Sequence, residues 1–240
     1  MNYLVTGCSR GVGLEVCRVL LEQGHVVYGI ARSYSKEFQE LEIKHSGRIF
    51  FASVDLSDSA NIRVSIFKNF ITNKVQLHGF VNNAAMAYDD IITNLSLGRL
   101  QNMYMINVFT PMMITKYVLR NMLLFHTCGC IVHISSISAH TGYKGLAMYA
   151  SSKGALEAFS KDTAREWGEL GIRSNVVVPG FMETSMSSTL TDNQKDRIYK
   201  RTSLKKPTSI NSVAETVAFL LSEKANSITG QNIHVDNGTI

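Results

Sequence analysis

Cysteine, proline and tryptophan are all scarce: four, three and one residues in a chain of 240. Cys8 and Cys17 lie far from Cys128 and Cys130, and "CGC" has neither zinc-ribbon nor redox-pair spacing. No metal site is expected, and the thiols read as free and buried, in a reducing compartment. With only Pro111, Pro179 and Pro207, no stretch reads as a linker, so residues 1–240 form one domain. No run reaches the roughly 18 apolar residues of a membrane span. The N-terminus shows no basic-then-apolar leader, so a cytoplasmic location is expected. Sequons at Asn94 and Asn237 carry no weight without secretion. No charge of one sign dominates: the net charge of +5 is scattered. The densest basic run, Lys195 to Lys206, reads as a solvated helix face, so no nucleic-acid partner is expected. A mildly basic surface also suits an anionic ligand.

What is abundant is alternation. Short β-branched runs, "NYLVT", "HVVYGIA", "IFFASVD", "LHGFVNNA", "GCIVHISS", "IRSNVVVPG" and "NIHVDNG", read as strands. Between them, amphipathic stretches predict helices beginning at "VGLEVCRVLLEQG" and then over about 34–45, 58–73, 96–125, 147–168 and 211–222. Nearly all-apolar strands separated by helices predict an α/β fold: a doubly wound, parallel, seven-stranded sheet covered on both faces. Pro111 inside the 96–125 stretch takes the usual donor from the Asn107 carbonyl and predicts a kink. The polar region 181–210 has no strand pattern and reads as a substrate lid.

"TGCSRGVG" places Gly7, Gly11 and Gly13 between a strand and a helix. Such a turn presents backbone N–H groups and a positive dipole end, fit for a pyrophosphate. The spacing is not GxGxxG, so a plain tight turn remains open at this point. The acid that binds a ribose 2′-hydroxyl is expected about 20 residues on, at the end of the second strand. Ala31, Arg32 and Ser33 stand there instead. Arg32, with Arg10 in the glycine turn, would bind a 2′-phosphate through charge-assisted bonds; two solvated arginines are the alternative. Asp55 and Leu56 end the third strand, at the rim where an adenine would rest, and "NNAA" (Asn82–Ala85) ends the fourth.

"YASSK" sets Tyr149 and Lys153 four apart, on one face of a helix. A free phenol, with pKa near 10, is a poor base at neutral pH; a neighbouring ammonium lowers that value. The pair can give a proton to a carbonyl oxygen or take one from an alcohol. Ser136, ending the fifth strand, can point into the same site. The unpaired Asn107 carbonyl can hold a water that relays protons to Lys153.

Taken in order, "TGCSRGVG", "DL" at 55–56, "NNAA", Asn107, Ser136, Tyr149-x-x-x-Lys153, "VVPGFMET" and "ITGQNIHVDNG" resemble the short-chain dehydrogenase/reductase family over essentially the whole chain. Within it, the Arg10 turn, "PGFMETSM" and "ITGQ" are most similar to reductases of 3-oxoacyl thioesters on acyl carrier protein. The resemblance implies a single Rossmann-like domain. It implies Tyr149 as acid/base, Lys153 as the group that lowers its pKa and binds the nicotinamide ribose, Ser136 as the carbonyl-polarising hydroxyl, and Asn107 as holder of the relay water. It implies an NADP(H) site formed by Gly7, Ser9, Arg10, Gly11, Val12, Gly13, Arg32, Asp55, Leu56, Asn83, Ala84, Val178, Pro179, Gly180 and Thr184, with Tyr149 and Lys153. Met86, Tyr88, Ser138, Tyr143, Phe181, Met182 and Met186 are candidate substrate contacts. The implied reaction reduces a carbonyl to a secondary alcohol, on an acyl thioester first, or on a sugar, steroid or other ketone. A nucleotide sensor without catalysis is the remaining class, and the intact Ser136, Tyr149 and Lys153 speak against it. Relatives form tetramers through long helices, so a homotetramer or homodimer is expected. Ala85 and "VDNG" depart from the commoner NNAG and VDGG. His133 stands within a strand where Asn is common, and reads as a core residue and not a base. His140 follows Ser136 closely.

Overall fold

The computed structural model describes residues 1–184 and 191–240. Met186 therefore lies outside the described residues. Seven strands form one sheet: β1 (Asn2–Thr6), β2 (Val26–Ala31), β3 (Ile49–Ser53), β4 (Gly79–Asn82), β5 (Cys130–Ile134), β6 (Arg173–Pro179) and β7 (Asn232–Val235). Their order is β3-β2-β1-β4-β5-β6-β7, with every neighbouring pair parallel. The order reverses between β1 and β4, so the chain leaves a crevice at their carboxyl ends, where ligands bind in such sheets.

Both faces are covered because strand side chains alternate. Val5, Val27, Val81, Val132 and Val177 face α1 (Gly11–Glu22), α2 (Lys36–Lys44) and α7 (Ile210–Leu221). Leu4, Ile30, Phe80 and Ile131 face the opposite way, against Ile62, Ile66 and the Ile114, Val118 and Met122 stripe of α4 (Thr110–Leu124). Helix α5 (Ala147–Trp167) packs beside β6.

Two expectations need correction. The stretch 58–73 holds no regular α-helix, only a widened segment of π-helix at Arg63–Lys68. Asp58 accepts the Asn61 N–H and side-chain amide on its carboxylate, as a helix N-cap does, but the turns that follow close over five residues instead of four. The long stretch 96–125 is helical without a break from Leu97 to Leu124, as α3 (Leu97–Tyr104), a π-helical widening at Met105–Phe109, and α4; the widening stands in the turn before Pro111, where the missing N–H disturbs the regular ladder. Cys128 is exposed, while Cys8, Cys17 and Cys130 are buried free thiols. The 181–210 region carries its own helix, α6 (Asp192–Arg201). Among the described residues no helix is long and apolar enough to cross a membrane, and no cluster of His, Cys, Asp and Glu could hold a metal.

Candidate active site

The glycine turn is built by close approach. Gly7 has φ +68°, and a Cβ on Gly13 would stand 2.2 Å from the Gly7 carbonyl oxygen and 2.5 Å from Asn83 Nδ2. Asn83 Nδ2 donates to the carbonyls of Thr6 (3.0 Å) and Gly7 (3.2 Å). The buried Thr6 hydroxyl accepts from the N–H groups of Asn83 (3.1 Å) and Ala84 (3.2 Å). Asn83 and Ala84 thus hold the turn itself. Gly11, φ +56°, opens α1, and a Cβ there would meet nothing within 4 Å. Arg10 is the N-cap but gives no side-chain cap, and no acid stands in the first turn. The N-terminus of α1 therefore faces open space with its N–H groups uncapped by any side chain, a fit for a pyrophosphate. Ser9 accepts the Ser35 hydroxyl on its carbonyl at 2.6 Å, and Val12 is buried beneath the turn.

Arg10 and Arg32 are exposed and enter no ion pair among the described residues. Asp55 accepts the N–H and hydroxyl of Ser57 (2.9 and 2.8 Å). Those bonds, with the charge of Arg32 as a smaller cause, hold its carboxyl below the ordinary range. The carbonyl of the buried Leu56 takes the Thr110 hydroxyl at 2.8 Å.

Four elements bring the proton-handling residues to the crevice. Lys153 is buried on α5, and its Nζ donates to the Ile134 carbonyl at the end of β5, at 2.8 Å. Burial lowers its pKa to about 8, against the charge of Glu157. Nζ lies 5.6 Å from the centroid of the Tyr149 ring. The expected depression of the Tyr149 phenol is reversed in the protein alone: burial raises its pKa well above 10, and the charge of Asp89 raises it further. Asp89 is itself raised by burial, with Arg99 opposing. Ser136 caps the short 3-10 turn Ile137–Ala139 (its Oγ accepts the Ser138 N–H at 3.2 Å and hydroxyl at 3.0 Å), so the Ser138 hydroxyl is engaged by Ser136.

Asn107 sits buried in the π-helical widening. Its Oδ1 accepts the Met86 N–H at 2.8 Å; its Nδ2 donates to the Met86 carbonyl (2.9 Å) and Ser152 Oγ (3.1 Å). Ser152 Oγ donates to the Tyr149 carbonyl at 2.7 Å. Asn107 thus locks the loop after β4 to α5, through a serine that the sequence reading passed over. Ser152 lies inside "YASSK", so its position was visible, but its role follows only from helix packing. His133 is fully buried, with its pKa driven down to about 3 by burial and by Lys153. It is a neutral core residue.

The chain leaves β6 through Pro179 and Gly180. A Cβ on Gly180 would meet Thr208 Oγ1 at 2.5 Å and Asp236 Cα at 2.7 Å. Phe181 accepts the Thr208 N–H on its carbonyl at 2.8 Å, and its ring lies 5.9 Å from that of Tyr199 on α6. Met182 and Thr184 are half-buried beside them, Met182 against the core. An open cavity of about 620 Å³ runs from Gly11 and Leu14 to Glu183, Pro207, Thr208 and Ile210. Thr208 Oγ1 is buried against Gly180, with no hydrogen-bond partner among the described residues. Tyr143 packs on Ile137, Val176 and Val178, and Tyr88 is buried with Met103 and Met148. In "VDNG", Asn237 has φ +59°, the left-handed conformation that Asn tolerates best after glycine, so this departure keeps the turn.

A family profile described as enoyl-(acyl carrier protein) reductase matches residues 7–239. The 3-oxoacyl-[acyl-carrier-protein] reductase FabG of Salmonella typhimurium is 33% identical over 98% of this chain and 95% of its own. FabG of Staphylococcus aureus is 32% identical over 98% and 96%. Among solved structures, a short chain dehydrogenase/reductase family protein superposes with TM-score 0.86 at 26% identity, covering 99% of this chain and 96% of that one. A 4-hydroxyisoleucine dehydrogenase complexed with NADH reaches TM-score 0.91 at 23% identity, covering 99% and 98%, a likeness of fold. The sheet, the glycine turn and these full-length matches together show that the chain is an oxidoreductase of the short-chain dehydrogenase/reductase family.

Proposed function

We propose that this protein is an NADPH-dependent reductase that converts a carbonyl to a secondary alcohol, with a 3-oxoacyl thioester as the first-choice substrate. The observation that carries it is the Tyr149–Lys153 pair: a phenol whose ring centroid lies 5.6 Å from the Nζ of a buried lysine that is anchored on the Ile134 carbonyl. Gly7, Gly11, Gly13 and the α1 N-terminus would hold the pyrophosphate, and Arg10 and Arg32 the 2′-phosphate. Bound there, reduced nicotinamide would supply the hydride. Ser136 polarises the substrate oxygen, Tyr149 protonates it, and Lys153, with water on the Asn107 carbonyl, returns a proton to Tyr149. Hydride on carbon and proton on oxygen complete the alcohol. The thioester choice draws its support from the FabG relatives. The two free cations, with no acid at the end of β2, support NADPH over NADH.

The working compartment is taken to be a reducing cytosol, in keeping with three buried free thiols. Phe109 and Leu124, exposed on the α3–α4 stretch, support self-association as a dimer or tetramer. Purified protein assayed with NADPH against acetoacetyl thioesters, sugars and cyclic ketones tests the substrate. No turnover of any thioester removes the first choice. Tyr149→Phe should lower kcat roughly 100- to 10,000-fold; reduction at the wild-type rate would remove the mechanism.

A further inference from the structure

Glu157 stands one turn beyond Lys153 on α5, with its side chain only 11% exposed. Its Oε1 accepts the Ser135 hydroxyl and lies 3.0 Å from His140 Nε2. Its Oε2 accepts from Asn232 Nδ2 at 2.9 Å. The partners come from the end of β5, the turn after it, and β7. A carboxylate this enclosed stays in place through such charge-assisted bonds. The turn it grips is the one headed by Ser136. The Ala139 N–H donates to the Ser136 carbonyl at 3.0 Å and the His140 N–H to the Ile137 carbonyl at 2.9 Å. His140 closes that turn. One carboxylate therefore joins the segment bearing Ser136 to the helix bearing Tyr149 and Lys153.

We propose that Glu157 is a positioning residue, which fixes the Ser136 turn against α5 so that the Ser136 and Tyr149 hydroxyls converge on one carbonyl oxygen. This rests on the carbonyl-reductase reading. A constellation of this kind tolerates only about 0.5 Å of misplacement, and a three-residue turn alone does not supply that rigidity. Without the clamp, the Ser136 hydroxyl and carbonyl are engaged by Ser138 and Ala139 of their own turn, and the segment is held from outside by the Ser135 N–H on the Val177 carbonyl and by Ile137 packing on Val176 and Val178, none of which reaches α5. The same charge supports the Lys153 ammonium against burial. Lys153 is faced by Tyr149 and Glu157 from its own helix and by His133 from β5. Glu157 is faced by Ser135, His140 and Asn232, and the ring of His234 on β7 stands edge-on to His140 at 4.6 Å.

The test combines native-state hydrogen exchange with kinetics on Glu157→Ala, Glu157→Gln, Ser136→Ala and the Glu157→Ala/Ser136→Ala double variant. In Glu157→Ala the Ala139 and His140 amides should exchange on the order of 10-fold faster or more, while β1 and β4 amides keep their protection. Its kcat should fall roughly 10- to 100-fold with NADPH affinity unchanged. In the Ser136→Ala background the same change should cost less than about twofold, because the two residues act through one hydroxyl. Glu157→Gln keeps the shape and an accepting oxygen but not the charge. It should retain the turn and move the alkaline limb of kcat to lower pH by about half a unit. Unchanged exchange at Ala139 and His140 overturns the clamp whether or not the protein is active. A full additive loss in the Ser136→Ala background overturns action through Ser136. Faster exchange in a protein that reduces no carbonyl leaves the clamp standing and overturns the reductase reading instead.

Discussion

Replacing Gly13 by alanine probes the cofactor turn where its geometry is tightest. The new methyl would stand 2.2 Å from the Gly7 carbonyl oxygen and 2.5 Å from Asn83 Nδ2. Ordinary contact needs about 1 Å more, and neither neighbour is a flexible side-chain end. The Gly7 carbonyl is backbone, and Asn83 Nδ2 is held by two carbonyls at 3.0 and 3.2 Å. Overpacking of this kind costs about 1–3 kcal/mol. If the Gly7 carbonyl rotates away, the bond from Asn83 is lost as well, for about 1 kcal/mol more. The expected loss is therefore about 2–4 kcal/mol, or a Tm lower by roughly 5–15 °C for a chain of this size. Gly11→Ala is the internal contrast. Its methyl meets nothing within 4 Å, so only the left-handed φ of +56° is penalised, at about 1–2 kcal/mol. The space it fills is the proposed phosphate seat, so its larger effect should fall on NADPH affinity. Urea unfolding followed by circular dichroism measures the first loss, and fluorescence titration with NADPH the second. A Gly13→Ala protein that unfolds at the wild-type urea concentration refutes the close-approach argument. A Gly11→Ala protein that binds NADPH as tightly as the wild type refutes the phosphate seat.

Four further outcomes follow from charge. Carbonyl reduction should hold below pH 8 and fall above it as Lys153, with its pKa near 8, loses the proton it returns to Tyr149; a flat kcat profile from pH 6 to 10 would contradict this. The stability effect runs the other way. The folded pKa lies below the ordinary 10.5, so the unfolded chain binds more protons between about 8 and 10.5, and stability should rise with pH across that window. A depression of that size corresponds to about 3 kcal/mol, so Lys153→Met, which leaves the Ile134 carbonyl unpaired, should still stabilise the protein at pH 7 by about 2 kcal/mol while abolishing activity. Differential scanning calorimetry reads that gain, and a lower Tm would overturn it. Arg32→Asp should reverse or flatten the preference for NADPH over NADH in kcat/KM; equal use of both cofactors by the wild type would remove the arginine argument.

Much of this fold lies in plain view in the sequence because its strands are buried on both faces and read as unbroken apolar runs, such as "NYLV" and "VVVP". The parallel, seven-stranded sheet follows from that pattern. Strand order does not, since the reversal between β1 and β4 depends on which helix covers which face. Helices with apolar stripes were legible; those shaped by local polar bonds were not. Residues 58–73 carry Ile62 and Ile66 at helical spacing, and the chain does turn there, but as a π-helical segment at Arg63–Lys68 and not a regular α-helix. Helix α6 was missed for the opposite reason. It buries no residue, so no stripe marks it, and its signal is the capping box of Thr191 and Gln194 in "TDNQ". Pro111 correctly marked a disturbed ladder, but a widened turn relieves a missing donor as well as a kink does, and packing around Asn107 decides between them.

The proton chemistry shows where pairwise reading reaches its limit. Tyr149 and Lys153, taken as two residues four apart, predict a phenol made more acidic by its neighbour. Inside the protein the ammonium is itself buried and donates to Ile134, and the burial that the two groups share acts on each in the direction of neutrality. The phenol is pushed up and the ammonium down, so the pair converges on Tyr–OH above a Lys153 that still carries a proton at neutral pH. The protonation of the pair in the protein alone therefore depends less on the Tyr-x-x-x-Lys spacing than on what encloses it: burial and the Ile134 carbonyl at the lysine, Glu157 one turn on, and the charge of Asp89 acting on the phenol.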